Sequence, residues 1–287
     1  MLNPEQLEAV KTTLFSGQYN LLLGSGISSD ASSRSGAPLV SATDLCIQLC
    51  ELKGVKSSTP LSRVSLLLDA PEVEKYLTIP YSNCRAGETA KSLTSFVWHS
   101  VFTFNIDNVL EAAYRSVARP KQEIVPLNYD SPYRTPENKG NLQLVHLHGF
   151  TEEPEKGYVF STTEYGRATR GGNPWMHVLA ELIASEPFII SGTSLNEPDL
   201  EYYLKDRTEG SARSNRGPSL FVEPFPDKIT ENLCKRHGLL LIKAKLGDFL
   251  NWLSSELGRA PSVTELTIPT MAGIFAKTIP PADQVEF

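Results

Sequence analysis

The chain has 287 residues, 40% hydrophobic and 21% charged, which is ordinary globular composition and room for one large domain or two modest ones. A formal charge of −6 supplies no general attraction to nucleic acid, and no run of 18 or more apolar residues is present to span a membrane. The start, Met1-Leu2-Asn3-Pro4-Glu5, lacks the basic and apolar regions of a signal peptide, and the four cysteines (Cys46, Cys50, Cys84, Cys234) include no Cys-x-x-Cys pair, so buried free thiols in a reducing cytoplasm are expected.

Asn3 followed by Pro4 starts a helix whose Leu7, Val10 and Leu14 share one face up to Gly17. Tyr19 to Leu23 is an apolar strand that runs into Gly24-Ser25-Gly26, and a helix is expected from Ser28 to Arg34. Residues 41–96 read as a helical insertion, broken by Pro60, Pro71 and Pro80, with Leu45, Leu49, Leu66, Leu67, Val73 and Tyr76 as core candidates. Trp98 to Phe104 is the second strand, and Val109, Leu110, Ala113, Tyr114 and Val117 come next at helical spacing.

Glu123 to Val125, bracketed by Pro120 and Pro126, predicts a short edge strand. Leu142 to Leu147 is a strand ending at His148-Gly149, and residues 151–172 are irregular. Pro174 to Ser185 is an amphipathic helix, Phe188 to Ile190 a strand entering Gly192, and Pro198 to Lys205 a further helix. Ser219 to Val222 and Leu239 to Ile242 are the last strands. Helices are expected between them, from Pro226 to Arg236, and after them, from Phe249 to Leu257. Strands alternating with helices predict an α/β fold: a Rossmann-like, mostly parallel sheet with helices on both faces and the helical insertion. Residues 1–258 form this unit, and the Pro-punctuated residues 259–287 read as a linker or docking arm.

Ligands of an open α/β sheet bind beyond the carboxyl ends of its strands, so the residues at those ends are the candidates. Gly24, Ser25, Gly26 and Ser28 come after the first strand, where glycine admits a close backbone approach and a helix start favours phosphate. The competing reading is a packing turn. Asn105 ends the second strand, facing a ribose hydroxyl or water, or else capping the next helix, a task Asp107 also suits. His148 is a general-base candidate at another strand end. His146, two residues earlier, would make a metal pair with it, but no third ligand is near in sequence and no metal is expected. Gly192, Thr193 and Ser194 form a second phosphate or ribose turn, or a hydroxyl-capped βα turn, and Glu223 is placed to accept from ribose hydroxyls or stay solvated.

In order and spacing, these elements resemble the sirtuin-like superfamily, and within it the bacterial NAD-cleaving antiphage effectors, over residues 5–257. The family's opening Gly-Ala-Gly-Ile-Ser appears as Gly24-Ser25-Gly26-Ile27-Ser28, its small-Pro turn as Gly36-Ala37-Pro38, its Thr-x-Asn-x-Asp as Thr103 to Asp107, and its Leu-His-Gly as Leu147 to Gly149. Thr162-Thr163-Glu164-Tyr165 and the run from Ile190 to Asp199 resemble the defence branch in particular. The resemblance implies cleavage of the nicotinamide–ribose bond of NAD as substrate, with Asn105, His148 and Asp107 catalytic and no metal.

It also implies a homo-oligomer, tetramer or larger, and a C-terminal sensor domain in a longer chain, while composition, charge and cysteine usage predict a cytoplasmic location and neither membrane nor direct nucleic-acid binding. The superfamily's deacylases carry four zinc-binding cysteines after Leu-His-Gly, whereas no cysteine lies between His148 and Gly192 here. Protein deacylation is therefore the weakest reading. A nucleotide sensor that holds NAD or ADP-ribose without turnover is the main alternative.

Overall fold

The computed structural model describes residues 2–134, 138–160, 174–194 and 217–267, together with Leu200, Leu204 and Arg207. Helix α1, Pro4–Phe15, starts at a capping box in which the Asn3 and Gln6 side chains and main-chain amides exchange hydrogen bonds. Strand β1, Asn20–Leu23, then enters the interior with every residue buried. A 3-10 turn, Ser25–Ser28, comes after it. The helix expected from Ser28 to Arg34 does not form: this stretch has no apolar periodicity to pack, and the chain turns away instead.

The insertion is helical in pieces, as its prolines require: α2 is Ala42–Lys53, α3 Leu61–Val64, α4 Ala70–Val73 and α5 Glu88–Leu93. A π-helical turn, Glu74–Thr78, continues directly from α4. Leu45, Leu49, Cys50, Val64, Leu77 and Tyr81 form the insertion's own core, packed with Ile106. Leu66 and Leu67 are not part of it; at 54% and 52% exposed they lie on a 3-10 turn that rotates them out of the helical period. All four cysteines are free thiols, three buried and Cys46 half-buried.

Strand β2 is Ser100–Thr103, α6 Val109–Ser116, β3 Glu123–Asn128, β4 Asn141–His146 and α7 Pro174–Ser185. The remaining described elements are β5 Phe188–Ser191, β6 Ser219–Val222, α8 Lys228–Arg236, β7 Leu239–Ile242 and α9 Leu246–Leu257. All seven described strands are parallel, in the order β3-β4-β2-β1-β5-β6-β7. Six of them take the Rossmann order, with β3 added at one edge. Strand β3 runs through Pro126, longer than the sequence predicts, because an edge strand tolerates a missing main-chain donor.

Side chains alternate across the sheet. Leu21 and Leu23 face a core built with Val10 and Leu14 of α1, Ala113 of α6 and Leu250 of α9, while Leu22 faces Trp175, Leu179 and Ile183 of α7 on the other side. Both faces are thus covered, as a parallel sheet requires. The strand order reverses between β1 and β5, so the crevice beyond their carboxyl ends is where this fold binds ligands. Beyond α9, Ala260 is buried and its carbonyl accepts from Lys121 Nζ at 2.8 Å. The motif stretches 162–165 and 195–199, the expected helix from Pro198 to Lys205 apart from Leu200 and Leu204, and residues 268–287 lie outside the described residues. No described helix is long and apolar enough to cross a membrane.

Candidate active site

The turns after β1 and β5 meet backbone to backbone. The Gly24 amide donates to Ser191 O at 3.0 Å and the Gly26 amide to Gly192 O at 2.9 Å. A Cβ on Gly24 would sit 2.5 Å from Gly192 O, and one on Gly26 would sit 2.7 Å from Gly192 Cα. Gly192 itself holds a left-handed φ of +72°. These glycines thus have a reason internal to the fold: they let two turns close on each other at the reversal point.

Beside this seam lies a cleft of about 500 Å³. Ser25, Gly26, Gly192, Thr193, Ser194 and Glu223 all line it, joined by Phe225 and Lys245, which the sequence alone does not single out. Gly24 is not on its surface, and Ser28 is engaged elsewhere. The Thr193 hydroxyl is buried without a hydrogen-bond partner among the described residues, so the wall of the cleft holds an unsatisfied polar group. That group, a half-buried carboxylate at Glu223 and the small residues of both turns fit the phosphate and ribose portions of a nucleotide.

On the other side of the Ser25–Ser28 turn is a buried polar network. Asn105 Nδ2 donates to Ser28 Oγ at 3.1 Å, and Ser28 Oγ donates to Asp107 Oδ2 at 2.9 Å. Asp107 Oδ1 accepts the Val109 amide at 3.0 Å, so it is Asp107, not Asn105, that serves the start of α6. The Asn105 amide donates to Thr103 Oγ1 at 3.0 Å. Ser28, Asn105 and Asp107 are 6%, 7% and 7% exposed, which leaves the trio shielded but reachable. Burial raises the Asp107 carboxyl to about 6, against the lowering effect of its bonds to Val109 and Ser28.

His148 stands one strand over. Thr103 and His146 are registered partners on β2 and β4, so Asn105 and His148 each lie two residues beyond a matched pair, at neighbouring strand ends. The His148 ring is half-buried between Phe104, with centroids 5.1 Å apart, and Phe160 at 5.7 Å. Its main-chain carbonyl accepts the Val159 amide at 3.0 Å, which folds the next segment back over it.

His146 is fully buried. Its Nδ1 is 2.9 Å from Asn105 O and its Nε2 is 2.8 Å from Glu111 Oε1, with the Phe150 ring stacked on it at 4.2 Å. Burial opposes a charge on the ring, but the Glu111 carboxylate and the Asn105 carbonyl outweigh it and raise its pKa. Glu111 is absent from the candidates that the sequence suggests. A signal for it exists: it lies four residues after Asp107 and three before Tyr114, on the inward face of α6. The described residues contain no group of three or more His, Cys, Asp or Glu side chains arranged to hold a metal ion.

No curated protein matches this chain. A family model described as a SIR2-like domain matches residues 99–242, which take in β2 to β7, Asn105, Asp107, His148 and the Gly192 turn. The match covers just over half of the 287 residues, and on it the chain belongs to the SIR2-like domain family, whose members are usually NAD-dependent enzymes.

Proposed function

We propose that the protein is an NAD glycohydrolase that cleaves the nicotinamide–ribose bond. The observation that carries this reading is the meeting of two sites at one end of the sheet. A nucleotide-sized cleft lies beside the β1–β5 seam, and Asn105, Asp107 and Ser28 form a bonded set next to His148. The Ser25–Ser28 turn belongs to both, with Ser25 lining the cleft and Ser28 holding Asn105 and Asp107.

In this reaction the bond from the ribose C1′ to the pyridinium nitrogen breaks, and its electron pair leaves with neutral nicotinamide. Water adds to the resulting oxocarbenium-like carbon and gives up a proton, yielding ADP-ribose. Asn105 orients the ribose or the attacking water, and its side chain is pre-set by Ser28. His148 takes the proton from a ribose hydroxyl or from the water. Asp107 fixes Ser28 and places negative charge near the developing cation. No covalent intermediate with the protein is needed.

The biological reading runs along the same line. NAD depletion in antiviral defence, by an effector module joined to a C-terminal sensor and acting as a homo-oligomer in the cytoplasm, is the role this chemistry suits. The test is direct: purified protein is incubated with NAD and released nicotinamide is separated and quantified. His148→Ala and Asn105→Ala are each expected to lower turnover by about two to four orders of magnitude. Wild-type turnover in both variants would remove these residues from the mechanism. Tight NAD binding with no nicotinamide release by the wild-type protein would make it a nucleotide sensor instead.

A further inference from the structure

Asn105 lies between the last ladder bond of β2, from the Phe104 amide to Leu23 O, and the first helical bond of α6, which Asn108 O accepts, so neither a strand ladder nor helical bonding sets its own main chain. Its position is therefore fixed by individual hydrogen bonds. Three of them come from the ends of three adjacent strands. Thr103 of β2 holds its amide, Ser28 after β1 holds its side chain, and His146 of β4 holds its carbonyl. The last is unlike the others, because it comes from a fully buried ring paired with a carboxylate that is 1% exposed.

The chemistry of these contacts fixes the ring's state at one nitrogen. A main-chain carbonyl only accepts, so His146 Nδ1 must carry a proton. Glu111 Oε1 then faces Nε2 with one further proton between them, whichever atom holds it. Glu111 thus locks the ring so that its Nδ1–H stays aimed at Asn105, and the stacked Phe150 blocks rotation. A buried ionisable pair is a poor way to stabilise a core, since apolar residues of similar volume often do as well. A directional lock on one carbonyl is something apolar residues do not supply.

The geometry points to Glu111 and His146 as a positioning couple for Asn105, acting through its main-chain carbonyl and touching no substrate. This inference rests on the reading of Asn105 in NAD cleavage given above. It requires that loss of the couple lowers the rate of the chemical step while nucleotide affinity is kept, because the cleft by the β1–β5 seam is built from other residues.

The experiment uses Glu111→Leu, His146→Phe and Glu111→Gln in the whole chain, with two readouts. The first is steady-state NAD cleavage. Glu111→Leu and His146→Phe are expected to lower kcat about 10- to 100-fold, with KM little changed. Glu111→Gln is expected to recover most of the rate, since a glutamine amide donates to Nε2 while Nδ1–H still reaches Asn105. The second readout is amide hydrogen exchange. Exchange should rise in residues 104–109 and stay unchanged in β1 for Glu111→Leu and His146→Phe.

Equal rises in both segments, or kcat and KM worsening together, would make the pair a structural ion pair only and overturn the proposal. Unchanged kcat with unchanged local exchange would also overturn it. A wild-type protein that does not cleave NAD would sink the glycohydrolase reading, and the exchange pattern alone would then decide whether the couple positions Asn105. If Glu111→Leu does not fold, Glu111→Gln against His146→Phe carries the comparison.

Discussion

Replacing Asp107 with asparagine should change the pH response of this domain over a defined window. The carboxyl is 7% exposed, and burial raises it from 3.8 to about 6. Between these values the folded protein holds a proton that the unfolded chain has released. Raising the pH through the window therefore favours unfolding. The carboxyl weighs least against the fold below about pH 4 and most above pH 6. About two pH units at 1.36 kcal/mol each give a penalty of about 3 kcal/mol at neutral pH.

The asparagine of Asp107→Asn has no such titration. Its amide keeps an acceptor for Val109 N–H but can present Ser28 with a donor, which adds an offset that does not depend on pH. The stability difference between variant and wild type should thus move by about 3 kcal/mol in favour of the variant from pH 4 to pH 7. Denaturant unfolding of both proteins across that range, monitored by two probes to establish a single transition, measures it. A difference that stays constant with pH would show that burial does not shift the Asp107 carboxyl.

Two further outcomes rest on packing. Gly24→Ala places a Cβ 2.5 Å from Gly192 O, main chain against main chain, so it should cost about 1–3 kcal/mol in stability even without nucleotide, visible as a lower Tm; an unchanged Tm would mean that the seam opens freely. Leu49→Ala, at a fully buried position, should lose about 2–5 kcal/mol, whereas Leu66→Ser should stay within about 0.5 kcal/mol, and equal losses in urea titrations would place Leu66 in a packed interface.

Much of the fold is legible in the sequence because its elements are short apolar runs with sharp punctuation. Ser219–Val222 and Leu239–Ile242 stand between Pro, Gly and polar residues, and Pro174 opens an amphipathic helix that ends at Ser185. Where local signals compete, the sequence misleads. Ser28 to Arg34 has helix-start residues but no apolar stripe, and the amides of Gly26 and Ile27 are taken by Gly192 and Gly24. Leu66 and Leu67 look like core in any helical count, yet a break from α-helix to 3-10 geometry changes the count.

The candidate site shows the same divide. Asn105, Asp107 and His148 are visible because chemistry-bearing residues sit where strands end. The Glu111–His146 pair is not, because it depends on β4 lying beside β2, and adjacency in a sheet is not written in either segment alone. Ser28 looks like a phosphate ligand in the sequence. In the structure its hydroxyl lies at the junction of Asn105 and Asp107, a contact set by where the first turn ends and not visible in the motif.

The central place of β1 has a consequence for synthesis. Its partner β5 pairs Leu23 with Ser191, so the seam between Gly24 and Gly192 closes only after most of the domain has been translated. At about 5–20 residues per second, β1 waits on the order of 10–30 s with one side of its ladder open. During that interval the crevice has only one wall, and a nascent chain holding Asn105 and His148 still lacks the cleft beside them. The Gly192 turn, Glu223 and Lys245, which line the cleft, all lie late in the chain. The cleft is therefore completed only once β5 to β7 have emerged, and the apolar β1 stays open to non-native pairing until then.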